Sequence, residues 1–221
     1  MQPGAEVRKE NKLLKATAVP IVLTGLGVYT ALSNRVINRY EIKEERDEHF
    51  PHFHSKVDNY LIHTPAVIVY GLNLAGVKGK NDLRNRTLLL VKSEMIMAAL
   101  TFSLKSITHE VRPDGSDHQS FPSGHTAQAF ATATFLSKEY GDRSVWYSVG
   151  AYGMATTVGA MRMLNNRHWV SDVFAGAGIG ILSTNIAYLT HRYRWKNKNS
   201  NLTVIPSYNK GPGVYIGFRL K

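Results

Sequence analysis

Apolar residues gather in runs at 16–32, about 60–77, 87–104, 125–137, 145–164 and 170–190, separated by short polar segments. Runs of this length and character predict about six helices, several of them long enough to cross a bilayer. Residues 1–16 are polar and basic, with Arg8, Lys9, Lys12 and Lys15 ahead of the first run. That run reads as a span rather than a signal-peptide core, because no convincing small-x-small cleavage pattern follows. Residues 35–58 are charged and lack a core-forming periodicity, so they read as an exposed connector or a short surface helix. After 200 the pattern changes: Val214, Ile216, Phe218 and Leu220 alternate with Tyr215, Gly217 and Arg219 behind an Asn209-Lys210-Gly211-Pro212-Gly213 turn. Period two predicts a strand, and the turn a terminal β-hairpin. The fold class is therefore all-α, a transmembrane bundle with a short C-terminal hairpin. Its parts are a basic N-terminus, first helix and connector (1–58), a helical core (59–192) and a basic tail (193–221).

Composition narrows the setting. The chain has 221 residues, a formal charge of +11 and no cysteine, so disulfides are excluded. The positive charge suits an acidic partner. No aromatic-basic repeat, zinc spacing or nucleic-acid motif accompanies it, so lipid headgroups are favoured and no nucleic acid is expected. Mean hydropathy is −0.20, low for six spans, and 125–137 contains Thr126, Gln128, Thr132 and Thr134. A soluble helical domain is therefore the alternative. Gly150, Gly153, Gly159, Gly176, Gly178 and Gly180 in turn suit close helix contacts in lipid.

Three short segments carry the chemistry: Lys105 with Arg112-Pro113, Pro122-Ser123-Gly124-His125, and Arg162 with His168 and Asp172. Two arginines and a lysine suit a phosphoryl group, whose charge spreads over its oxygens during transfer. Ser123 and Gly124 add a hydroxyl and a closely approaching backbone, and a helix starting near His125 aims free N–H groups at an anion. Two histidines exceed what binding requires. Cleavage through a covalent intermediate uses one to attack phosphorus and one to protonate the leaving alkoxide. His168 is the candidate nucleophile, because Asp172 four residues on shares its face of a helix and can orient the ring. His125 is then the general acid, and the cations leave no role for a metal or other cofactor. His109, Asp114, Asp117 and His118 read as solvated rim residues.

With these residues in place the chain resembles the type 2 phosphatidic acid phosphatase superfamily, which includes class A acid phosphatases and vanadium haloperoxidases. The pattern Lys, six residues, Arg-Pro stands at Lys105 to Pro113. Pro-Ser-Gly-His stands at 122–125, and Arg, five residues, His, three residues, Asp at Arg162, His168 and Asp172. Met161 occupies the position of the family's usual serine before the arginine. The resemblance implies the same roles as the residues do. The expected function is hydrolysis of a lipid phosphomonoester or diphosphate: phosphatidate, phosphatidylglycerol phosphate, polyprenyl diphosphate or a lipid A phosphate. Soluble acid phosphatase, vanadate-dependent haloperoxidase and non-catalytic lipid binder are the alternatives.

Topology adds an orientation. If all six helices span, the loop at 105–124 and the loop at 162–168 are separated by two crossings and emerge on one side. The other side receives the N-terminus, Lys78, Lys80, Arg84, Arg86, Lys138, Arg143 and the basic residues 192–198. The positive-inside rule makes that side cytoplasmic. The expected location is a bacterial-type inner membrane with the site facing the periplasm or exterior.

Overall fold

The computed structural model describes residues 3–193, 202–208 and 212–218. Eight helices lie among them: α1 (Pro3–Leu32), α2 (Arg39–His49), α3 (Asp58–Leu61), α4 (Thr64–Leu74), α5 (Leu83–Thr108), α6 (Gly124–Tyr140), α7 (Val145–Leu164) and α8 (Val170–Leu189). The six expected helices are α1 and α4 to α8. The charged connector supplies α2, and α3 is a single turn. Strands β1 (Leu202–Tyr208) and β2 (Pro212–Phe218) pair antiparallel as the alternating pattern predicts. The turn residues Asn209, Lys210 and Gly211, and the basic residues Arg194, Lys196 and Lys198, lie outside the described residues. Residues 1–191 and 192–221 form two compact units.

Polar residues ahead of the first turn start several helices by accepting a first-turn N–H: Asn38 for α2, Asp82 for α5, Ser123 for α6 and Ser144 for α7. The central helix is α6. Its Ala129, Ala133 and Phe135 pack with Val69 of α4 and with Ala151, Ala155 and Val158 of α7. On its other side Ala127 and Ala131 meet Met97 of α5 and Ile179 of α8. This explains its polar content. Thr132 donates to the carbonyl of Ile62 at 2.8 Å and Thr134 to that of Phe130 at 2.7 Å, so the hydroxyls are satisfied inside the core.

Glycines bring α8 against α6. A Cβ at Gly176 would lie 2.6 Å from the carbonyl oxygen of Ser123, and one at Gly180 2.3 Å from that of Ala127. Gly150 and Gly153, expected to serve the same purpose, make no such approach: a Cβ at either would meet nothing within 4 Å.

Two of the described helices are long and apolar enough to cross a membrane, Leu83–Thr108 and Val170–Leu189. Ala16–Leu32 and Thr64–Leu74 are shorter apolar helices. The central position of α6 shields its polar residues, so its sequence need not be lipid-like.

At the end remote from Ser123, Arg86 and Glu139 form an ion pair at 3.1 Å with side chains 1% and 0% exposed. Arg86, counted among the basic residues of the cytoplasmic side, is buried there against Glu139, 53 residues away in sequence. Glu139 also accepts from Asn81 and from the hydroxyl of Tyr188 at 2.7 Å.

Candidate active site

Four helix ends meet at one end of the bundle: the C-termini of α5 and α7 and the N-termini of α6 and α8. Helix α5 stops where His109 takes a left-handed conformation (φ 48°). The loop that follows is tied back by Thr108 Oγ1 donating to Phe121 O at 3.0 Å and Ser120 N to Glu110 O at 2.9 Å. Lys105 donates to the carbonyls of Gln119 and Ser120. Gly124 sits against Lys105, since a Cβ there would be 4.0 Å from the lysine Cε.

Helix α7 ends in a Schellman motif. Asn166 is left-handed (φ 58°), Asn166 N donates to Met163 O at 2.9 Å, and Arg167 N donates to Arg162 O at 3.0 Å. The motif accounts for the spacing between Arg162 and His168. It reverses the chain within a few residues and returns the imidazole to the end of the helix that carries the guanidinium.

His168 precedes α8, so the prediction that it shares a helix face with Asp172 is corrected. Trp169 is the N-cap and Asp172 reaches back from the first turn, accepting from Trp169 N at 2.9 Å. The same carboxylate oxygen accepts from Ser120 Oγ and stands 3.3 Å from His168 Nδ1. With Nδ1–H directed at Asp172, Nε2 carries the free lone pair. The backbone of Asp172 also contributes, because its carbonyl accepts from Ser123 N at 3.0 Å. One residue thereby couples the second motif to the third.

His168 is 4% exposed. Burial lowers its pKa to about 4, outweighing the hydrogen bond and charge of Asp172, while the charges of Lys105 and Arg112 push the same way. His125, in the first turn of α6, is likewise lowered to about 4, by burial first and then by Arg162, against the opposing charge of Asp58. Lys105, Arg112 and Arg162 are therefore close enough to act on the two imidazoles, and all three motifs converge.

The side chains are held individually. Arg112 Nε donates to Asp117 Oδ1 at 2.7 Å, and Nη1 to Arg167 O at 3.3 Å. Asp117, read as a rim residue, thus braces Arg112. Ser123 is fully buried and accepts from Thr126 N as the α6 cap and from Thr126 Oγ1 at 2.9 Å, leaving its own hydroxyl proton to donate.

Two residues escaped the sequence reading. Asp58 Oδ2 accepts from Arg162 Nη1 at 2.8 Å, with the carboxylate side chain 1% exposed. Asn59 Oδ1 lies 2.8 Å from His125 Nε2. Both come from α3, more than sixty residues before the motifs they serve, and their only signal was a carboxylate and an amide at the start of an apolar run. Arg162 Nε and Asp58 Oδ1 are buried with no hydrogen-bond partner among the described residues. A buried guanidinium N–H without an acceptor suits an incoming anion. Among the described residues no group of three His, Asp or Glu side chains could hold a metal ion.

Asp58→Asn keeps the shape but removes the charge that aims Arg162. We expect the rate of phosphate release to fall roughly 10²-fold, the scale of an ångström misplacement at a reacting centre, with the melting transition retained. An unchanged rate contradicts the positioning role.

Residues 103–196 match the sequence model of the PAP2 superfamily. Lipid A 1-phosphatase of Porphyromonas gingivalis is 37% identical over 172 residues, which are 77% of this chain and 37% of that protein. The chain thus spans little more than a third of that relative's length. A transmembrane PAP2-type phosphatidylglycerolphosphate phosphatase from Bacillus subtilis shares the fold. Its crystal structure aligns with a TM-score of 0.55 and 23% identity over 80% of this chain and 99% of that one. The crystal structure of Aquifex aeolicus LpxE aligns with a TM-score of 0.49 and 24% identity, covering 66% of this chain and 93% of that one. The segment that matches the PAP2 superfamily model contains all three motifs.

Proposed function

We propose that the protein is a membrane phosphatase that removes phosphate from a lipid phosphomonoester or diphosphate through a phosphohistidine. The observation that carries this reading is the convergence of Lys105, Arg112 and Arg162 on two imidazoles, the buried His168 oriented by Asp172 and the half-buried His125. The similarity to a lipid A 1-phosphatase makes lipid A phosphate the first substrate to test.

The residues divide the work. Arg112, Arg162, Lys105 and the N–H groups at the start of α6 hold the phosphoryl oxygens and stabilise charge as the reaction proceeds. His168 Nε2 donates its lone pair to phosphorus, the P–O bond to the leaving group breaks, and His125 delivers a proton to the departing oxygen. Water then attacks phosphorus, His125 takes a proton back, and the P–N bond breaks to regenerate neutral His168. A pKa of about 4 suits the nucleophile, which must be neutral. It is too low for an acid at neutral pH. The substrate supplies the remedy: a phosphate bound between Arg112 and Arg162 sets negative charge against theirs and raises the His125 pKa.

This sets an NMR expectation for isotope-labelled histidines. Both rings stay neutral from pH 7 down to about 4 in the free protein, and added inorganic phosphate moves the His125 midpoint upward. A His168 midpoint near the ordinary value of about 6.5 contradicts the buried-nucleophile reading.

The function itself is tested by phosphate release from a panel of lipid A phosphate, phosphatidylglycerol phosphate, phosphatidate and polyprenyl diphosphate in the presence of a strong chelator. We expect release from at least one, undiminished by the chelator. Release from none, or its abolition by chelation, contradicts the proposal. The site faces the periplasm or exterior by the positive-inside argument, and membrane-impermeant labelling of a cysteine introduced at His118 checks that orientation.

A further inference from the structure

A groove of about 800 Å³ lies at the end of the bundle remote from the histidines, within the range that encloses a small ligand. One wall is Val19, Pro20 and Leu23 of α1, and the other includes Ser148 and Tyr152 of α7. Its floor runs along α6 and α8, with Phe130, Thr134 and Ile181. Lys80, Lys138 and Asp142 stand at its outer end. Hydrocarbon surface and a cationic end meet in one groove.

The charges do not cancel. Asp142 pairs with Lys80 at 2.7 Å, an exposed bridge. Lys138 is half-buried and makes no ion pair among the described residues, and Lys80 is the first charge acting on it. Two ammonium groups stand at the groove with one carboxylate, so the cluster keeps a net positive charge beside a channel whose lining mixes apolar side chains with hydroxyls. The floor offers no competing anion, since its hydroxyls are joined across the helices: Thr134 to Tyr152 at 3.1 Å and Ser137 to Ser148 at 2.8 Å.

Geometry matches one leaflet. Helix α6 has 17 residues, about 25 Å at 1.5 Å per residue, and its far end carries Ser123 and the candidate active site. From Lys138 back to Phe130 is two turns, about 12 Å, which runs from an interface into hydrocarbon beside α8, a helix apolar enough to span. A free anion would leave the apolar walls unused, and a neutral lipid would leave the lysines without a counter-charge.

We propose that this groove binds an anionic phospholipid of the leaflet opposite the active site, with its phosphate at Lys80 and Lys138 and an acyl chain along α6 and α8. It is a second lipid site, separate from the substrate's, and stands whether or not the phosphatase reading does.

Native mass spectrometry of delipidated protein in neutral detergent tests it, comparing phosphatidylglycerol, phosphatidylcholine and the soluble headgroup glycerophosphoglycerol. We expect phosphatidylglycerol to be held at least tenfold more tightly than either. Lys138→Ala should weaken it about tenfold, the effect of losing one charged hydrogen bond, and Lys80→Ala with Lys138→Ala further. Lys78→Ala, a cation on the same side but outside the groove, should change little. Ser148→Trp should fill the groove and exclude the lipid while leaving phosphate release in detergent intact. Equal binding of the two phospholipids, headgroup binding as tight as the lipid's, retention by the double lysine variant, or an equal loss in Lys78→Ala each overturns the proposal.

Discussion

His168→Ala should abolish phosphate release while leaving the bundle folded. The ring is buried, but its contacts are local: Nδ1 meets Asp172, and the carboxylate keeps Ser120 and the Trp169 N–H when the ring is lost. The α8 cap and the Ser123 tie to Asp172 O therefore survive. Without a nucleophile, the cationic cradle still binds phosphate but forms no P–N bond. Loss of an enzymic nucleophile costs on the order of 10⁶-fold in kcat where it has been dissected, so residual turnover should fall near background. The cradle predicts a second signature, inorganic phosphate inhibiting binding of a substrate analogue equally in variant and wild type. Wild-type turnover in the variant would remove His168 from the mechanism.

Glu139→Ala should cause the largest loss of stability, with little effect on chemistry in whatever protein remains folded. It strands the Arg86 guanidinium, whose side chain is 1% exposed, leaving it among the described residues with Asn81 O at 2.6 Å and the Tyr140 ring at 5.9 Å. It also removes the acceptor for Tyr188 and Asn81. Breaking a buried pair by deleting one member typically costs about 3–5 kcal/mol. Replacing both by apolar residues, Arg86→Met with Glu139→Leu, should recover much of that loss, because no charge is left uncompensated. Thermal unfolding in detergent reads both, and a single variant as stable as wild type contradicts the account of the pair.

Local rules made much of this molecule legible. Apolar runs marked helices α1 and α4 to α8, and alternation at 214–218 marked the second strand. The three motifs brought their residues together because each sits at a helix end where caps and turns, which are themselves local, dictate direction. The misreadings share a cause. The four-residue spacing of His168 and Asp172 suggests a common helix, whereas a Schellman turn and an N-cap produce the same proximity with His168 outside the helix. Asp58, Asn59 and Glu139 are invisible in the sequence because their partners are set by packing of α3 against α7 and α6 and of α6 against α5, which no period in the chain records. Charge in sequence does not announce burial: Arg86 looks like the solvated Arg84 two positions earlier until Glu139 is placed beside it.

Phosphate is expected to pass through a covalent bond to His168. A substrate with a good leaving group, such as an aryl phosphate, needs little help from an acid in the first step, so His125→Ala should slow hydrolysis of the intermediate more than its formation. Rapid mixing followed by an alkaline denaturing quench and peptide mass spectrometry should find phosphate on His168 in the wild type, more of it and for longer in His125→Ala, and none in His168→Ala. Steady turnover with no phosphate on His168 at any time, or phosphate on another residue, would contradict the account.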